Sequence, residues 1–116
     1  SKIGPVNVSL IHTLLFNLIS NAIKYNKASG KIDIEGHEDS NGFILSISDT
    51  GVGIQPENIP HIFDRFKRFR PDDEMSYGLG LPIVKTIADF HNIKIKVESN
   101  KGEGCKFSLN FPPEMD

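Results

Sequence analysis

The sequence has a single cysteine, Cys105, so no internal disulfide can staple the chain and an apolar core must hold it. No uninterrupted apolar run approaches the roughly 20 residues that cross a bilayer. The leading Ser1-Lys-Ile-Gly-Pro5 has no apolar stretch of signal-peptide length. The expected compartment is therefore the cytoplasm, without direct membrane contact by this domain. Any anchor of a membrane-bound parent would lie outside these 116 residues. An excess of positive charge is also missing. The 13 Lys and Arg are outnumbered by 15 Asp and Glu, for a net charge of −2, which leaves no broad basic face for a nucleic-acid backbone. The four histidines, His12, His37, His61 and His91, match no metal-site spacing and read as surface or packing residues. Neither His12 nor His37 has a nearby acid that would make a relay.

What is present reads as one globular domain over 1–116, with 38% hydrophobic and 24% charged residues and no internal repeat. Apolar pairs recur every four residues from Leu10/Ile11 to Ala22/Ile23, which predicts a long first helix. Asn7 or Ser9 would cap its start, and Lys27-Ala-Ser-Gly30 would end it with Gly30 in a left-handed stop. Lys31–His37 and Phe43–Asp49 read as a hairpin closed by Asn41-Gly42, a pair that favours primed turns. Helical spacing resumes around Ile59, Ile62, Phe63 and Phe66. After a polar loop, Leu81–Phe90 forms a second long helix. Two further strands alternate apolar and polar residues around the turn Asn100–Gly104. In all four strands one parity is apolar, so helices should cover a single face. The expected fold is α+β, a two-layer α/β sandwich with a mixed, largely antiparallel sheet.

Three strings stand out chemically. On the first helix Asn17, Asn21 and Lys24 share one polar stripe. It serves either as a solvated face or as a place where an amide oxygen meets Mg²⁺ and a lysine meets phosphate; asparagine's poor helix propensity leaves the two readings about even. Asp49 ends its strand on the parity of Phe43, Leu45 and Ile47, which aims its carboxylate at the covered face. There it either caps a turn or accepts from the amino group of adenine, where guanine offers a carbonyl instead. In the second case Gly51 and Gly53 would let the backbone approach the base. Gly78-Leu-Gly80 precedes the second helix, as a hinge or as an anion site at the helix N-terminus. No G-x-x-x-x-G-K-[ST] phosphate loop occurs. Cys105 falls on the apolar parity and reads as core.

These strings, in this order, resemble the asparagine, first glycine, phenylalanine and second glycine boxes of the sensor histidine kinase catalytic domain, a member of the Bergerat-type ATPase superfamily. The matching segments are N-L-I-S-N-A-I-K-Y from Asn17, D-T-G-V-G-I from Asp49, I-F-D-R-F from Ile62 and G-L-G-L-P-I-V-K from Gly78. G-E-G-C-K-F from Gly102 resembles the last box. The resemblance covers nearly the whole chain and implies the Bergerat ATP-binding fold with ATP and Mg²⁺ as ligands. It assigns Asn21 to the metal, Lys24 and Arg68 to phosphates, Tyr25 to the nucleoside and Asp49 to adenine. Asn17, Gly51, Gly53, Ile54, Tyr77, Gly78, Leu79, Gly80 and Leu81 complete the implied nucleotide site, under a lid at about 65–77.

Hydrolysing relatives in the superfamily carry a glutamate four residues before the metal asparagine, and here that residue is Asn17. A carboxamide cannot take a proton from water, so transfer to a partner side chain is the better fit. The implied function is donation of the γ-phosphate to a histidine on a separate dimerisation domain, upstream of a response regulator in a phosphorelay. No histidine here sits in a phosphoacceptor helix, so this fragment should bind ATP without phosphorylating itself. The lid departs from the family, with Ser76 for its first glycine, Lys67 before Arg68, and the acidic Asp72-Asp73-Glu74. That departure motivates the alternative, a nucleotide-sensing or scaffold module that binds without transfer.

Overall fold

The computed structural model describes residues 3–64 and 80–114. Two α-helices lie on one face of a four-stranded sheet: α1 (Val8–Lys24), β1 (Ile32–Asp39), β2 (Gly42–Asp49), α2 (Gly80–Phe90), β3 (Lys94–Ser99) and β4 (Cys105–Phe111). The strand order is β1-β2-β4-β3, and every pairing among the described strands is antiparallel. The expected α+β sandwich is thus present, and its largely antiparallel sheet narrows to a fully antiparallel one over these strands.

Helix α1 starts where Asn7, not Ser9, supplies the cap: the Asn7 Oδ1 accepts from the Leu10 N–H at 3.0 Å. Helix α1 ends at Lys24 with Tyr25 as its cap at φ −102°, so the expected left-handed stop is absent and the positive φ falls in the loop beyond. Ser29 adopts φ 61°, and Gly30 is required instead by space, since a Cβ there would collide with Asn26 Oδ1 and come within 2.7 Å of Thr50 Oγ1. The first hairpin also differs from expectation. Asp39 pairs with Gly42, leaving Ser40 and Asn41 in the loop, and neither has positive φ, so the turn is not of the primed kind. The Asp39 carboxylate accepts from the Asn41 N–H at 2.8 Å, and Gly42 takes φ 118°. Around Ile59 the helical spacing resolves into a 3-10 helix, Pro56–His61, which Pro56 opens and in which Pro60 lacks the N–H that an α-helix would use there. Phe66 lies outside the described residues. Helix α2 ends on Asn92 at φ 58°, and the Ile93 N–H returns to the Ala88 carbonyl at 2.8 Å.

Leu14 and Leu18 of α1, Leu81 and Val84 of α2, Ile47 and Leu109 of the sheet, and Ile62 form the most buried part of one core. Helix α1 packs over β2 and α2 over β3, so β1 is left uncovered. Its alternation therefore does not produce a dry face, and Ile34 is 52% exposed. Asp33, Glu35, Glu38 and Asp39 give this edge strand the charge that discourages pairing with another chain.

Candidate functional site

The central strands β2 and β4 place Asp49 directly opposite Cys105. Above that pair runs the Asn21 turn of α1. Between them lies a small cleft lined by Leu18, Asn21, Ala22, Ile47, Asp49, Cys105 and Phe107. Its floor and one side are apolar, with an amide and a carboxylate as the polar groups. That composition suits a flat heteroaromatic ligand read by a few hydrogen bonds.

The Asp49 carboxylate accepts from the Gly51 N–H at 2.8 Å and from the Cys105 N–H. Burial nevertheless dominates and holds its pKa above the usual carboxylate value, the two backbone hydrogen bonds offsetting it only in part. Burial likewise pushes the Cys105 thiol up to about 12, helped by the neighbouring Asp49 charge, while a hydrogen bond with Ser99 opposes the shift. Cys105 is therefore a neutral S–H wall of the cleft, and only 5% of it is exposed. Asn21 Nδ2 is buried with no hydrogen-bond partner among the described residues. A buried amide of this kind is costly unless a ligand satisfies it, and a flip of the side chain presents either its nitrogen or its oxygen to that ligand.

Asn17 lies one turn earlier. Its Nδ2 donates to the Thr13 carbonyl at 2.8 Å, and its Oδ1 would stand 3.0 Å from a Cβ at Gly80. The start of α2 is thereby packed against the polar stripe of α1. Lys24 is exposed, with Nζ 5.5 Å from the Tyr25 ring centroid, a cation–π distance. Arg68, Tyr77, Gly78, Leu79 and the expected lid over 65–77 lie outside the described residues.

A Cβ at Gly51 would collide with the Tyr25 carbonyl, and one at Gly53, which has φ 71°, would collide with the Asn100 carbonyl. Both are packed against protein backbone. Ile54 and Leu81 are core residues, 4% and 0% exposed, and neither lines the cleft. Ile54 is tied down by its N–H, which donates to Ser99 Oγ at 2.7 Å.

Sequence reasoning missed the cleft-facing position of Cys105, along with Leu18, Ala22, Ile47 and Phe107 as lining residues. The sequence could have paired Asp49 with Cys105 only if the β2–β4 register were already known. A second correction concerns His37, whose Nε2 lies 3.9 Å from Asp39 Oδ2. Both groups are exposed, so the contact is a surface one.

The described residues contain no group of three or more His, Cys, Asp or Glu able to hold a metal. A cation at this site would rest on one amide oxygen and on oxygens supplied by its ligand. Asn21 fits that requirement for Mg²⁺, which keeps several waters and takes phosphate oxygens.

Residues 6–115 match the sequence profile of the histidine kinase-, DNA gyrase B- and HSP90-like ATPases. The chain is 38% identical to the sensor histidine kinase RppB of Synechocystis sp. over 109 residues, which is 91% of this chain and 24% of that protein. It is 40% identical to the sensor protein SrrB of Staphylococcus aureus over 114 residues, 96% of this chain and 20% of that one. Among solved structures, a mycobacterial sensor histidine kinase, MprB, superposes with a TM-score of 0.80 at 27% identity, covering 94% of this chain and 74% of that chain. The catalytic domain of histidine kinase ThkA does so with a TM-score of 0.80 at 29% identity, covering 95% and 71%. The chain spans about a quarter or less of the length of these curated relatives. By the extent of the profile match and the identity to these sensors, the chain belongs to the family of histidine kinase-, DNA gyrase B- and HSP90-like ATPases, as an ATPase domain of the histidine kinase kind.

Proposed function

We propose that the cleft between α1 and the ends of β2 and β4 binds Mg-ATP, and that the domain gives the γ-phosphate to a histidine on a separate dimerisation domain. The observation that carries this reading is the convergence of Asn21 and Asp49 on one cleft that is otherwise apolar. Asp49 is an acceptor held by two N–H groups and suits the amino group of adenine, whereas the carbonyl of guanine would face it oxygen to oxygen. Asn21 is the metal residue in this reading. Mg²⁺, when bound, would neutralise phosphate charge. Lys24 and Arg68 would contact the phosphates, with Tyr25 beside the nucleoside.

Asn17 supports transfer over hydrolysis. Its carboxamide already donates to the Thr13 carbonyl, and it has no carboxylate with which to take a proton from water. The domain's contribution is then position and charge neutralisation, which suffice for phosphoryl transfer to a well-placed acceptor. In this reading the domain works in the cytoplasm, with a response regulator downstream.

The test is titration of the isolated chain with ATP and Mg²⁺, followed by mixing with a cognate dimerisation domain and radiolabelled ATP. Saturable binding, no self-labelling and labelling of the partner's histidine are expected. Binding without transfer would favour the scaffold alternative. Repeated phosphate release by the isolated chain would overturn the role given to Asn17.

A further inference from the structure

Where α1 gives way to the loop that follows it, the chain makes a compact set of hydrogen bonds that the reading above does not use. Asn26 Nδ2 donates to the Lys31 carbonyl at 2.9 Å, and Asn26 Oδ1 accepts from the Lys27 N–H at 2.9 Å. The same Oδ1 accepts from the Thr50 hydroxyl at 2.9 Å, and that hydroxyl in turn accepts from the Lys31 N–H at 2.8 Å. The Thr50 N–H closes the set on the Lys31 carbonyl at 3.2 Å. Gly30 lies under it, where any Cβ would collide with Asn26.

This set lies between the two polar groups of the cleft. On one side, Tyr25 N–H bonds the Asn21 carbonyl at 3.0 Å, so Asn26 follows directly on the turn that carries the Asn21 amide. On the other, Thr50 adjoins Asp49 at the end of β2. Beyond that point no strand partner guides the chain until Gly51 returns its N–H to the Asp49 carboxylate. One bonded route from the Asn21 turn to the Asp49 residue runs through the Asn26–Thr50 hydrogen bond, beside the route that joins the Tyr25 carbonyl to the Val52 N–H.

We propose that Asn26 and Thr50 are positioning residues that set the direction and reach of the Asp49 acceptor, and so determine the site's choice of adenine over guanine. The proposal rests on the nucleotide reading above. An amino group and a carbonyl at the same ring position differ only in the sign of hydrogen bonding. Discrimination between them therefore depends on an acceptor that cannot swing away. Thr50 supplies that rigidity through its hydroxyl, which is satisfied on both sides. Its methyl group is not needed.

The test uses dissociation constants for ATP, GTP and inorganic tripolyphosphate on the wild-type chain and on Thr50→Val, Thr50→Ser and Asn26→Ala. Thr50→Val keeps the shape and deletes the hydroxyl, whereas Thr50→Ser keeps the hydroxyl. The wild-type chain is expected to prefer ATP. In Thr50→Val the ATP-over-GTP ratio should fall about tenfold or more, and Thr50→Ser should bring it back to within about threefold of wild type. Tripolyphosphate, which has no base, should bind all four proteins alike. Asn26→Ala should reproduce the loss and gives an independent reading if Thr50→Val does not fold. A ratio unchanged in Thr50→Val or Asn26→Ala, with only a lower melting temperature, would overturn the proposal and leave the nucleotide reading intact. A parallel loss of tripolyphosphate binding would overturn it as well. Failure of the wild-type chain to bind ATP would overturn both.

Discussion

The Val52 N–H donates to the carbonyl oxygen of Tyr25 at 3.1 Å, joining the end of α1 to the loop that follows Asp49. The Val52 carbonyl in turn accepts from the Gly102 N–H at 2.6 Å, so the same peptide reaches the β3–β4 hairpin. Three segments distant in sequence thus meet beside the cleft, and the contact is close enough to exclude any side chain at Gly51.

Gly51→Ala should therefore push the loop away from Tyr25 and disturb the Gly51 N–H that holds the Asp49 carboxylate. Overpacking against backbone leads us to expect a destabilisation of about 1–3 kcal/mol in urea unfolding, together with weaker ATP binding. Gly102→Ala meets no atom within 4 Å, and its strain comes only from φ 85°. It should destabilise less and leave nucleotide affinity as in wild type.

Leu14 is 0% exposed at the centre of the helix–sheet core. Leu14→Ala should cost about 2–5 kcal/mol, a large part of the roughly 6–17 kcal/mol expected for a chain of this length, and should shift the urea midpoint accordingly. Ile34→Ala, on the uncovered edge strand, should change stability by about 0.5 kcal/mol or less.

Asp49 is held above its ordinary value of 3.8 mainly by burial. The folded protein therefore keeps the proton to a higher pH than the unfolded chain. The stability attached to this group is fully present below that ordinary value and falls as pH rises toward the raised one. Asp49→Asn cannot titrate, so stability curves of the two proteins between pH 3.5 and pH 7, taken without nucleotide, should diverge in favour of the variant as pH rises. Parallel curves would contradict the assignment. With ATP present the gap should narrow or reverse, because the wild-type carboxylate is a stronger acceptor for the adenine amino group than the carboxamide oxygen of the variant.

Cys105 is the only cysteine, so a thiol reagent reads it alone. With the thiol pushed up to about 12 and nearly buried, its reaction with an aromatic disulfide at pH 8 should be at least about tenfold slower than in urea-unfolded chain. ATP should slow it further, since Cys105 lines the cleft. Reaction at the unfolded rate would place the thiol outside the core.

The helices, the strands and their order were legible in the sequence because apolar spacing and capping are local. The pairs Leu10/Ile11 to Ala22/Ile23 could only bury one face as a helix, and the parity that carried Ile47 toward the core carried Asp49 with it. Turn details were less legible. At Ser29, Gly30 and Asn41-Gly42 the conformation depended on what the neighbouring segment left room for, as Thr50 does at Gly30.

By itself the sequence determined the kinds of elements, the family, and the residue types able to hold a nucleotide, because these depend on patterns a few residues long and on the identity of side chains. Only the tertiary structure decided that Asp49 faces Cys105, that Asn17 meets Gly80, that β1 stays uncovered, and that Asn26 bonds Thr50. Those are matters of register and packing between segments up to 63 positions apart, the separation of Asn17 from Gly80. No local preference specifies them; they follow from burying one shared core.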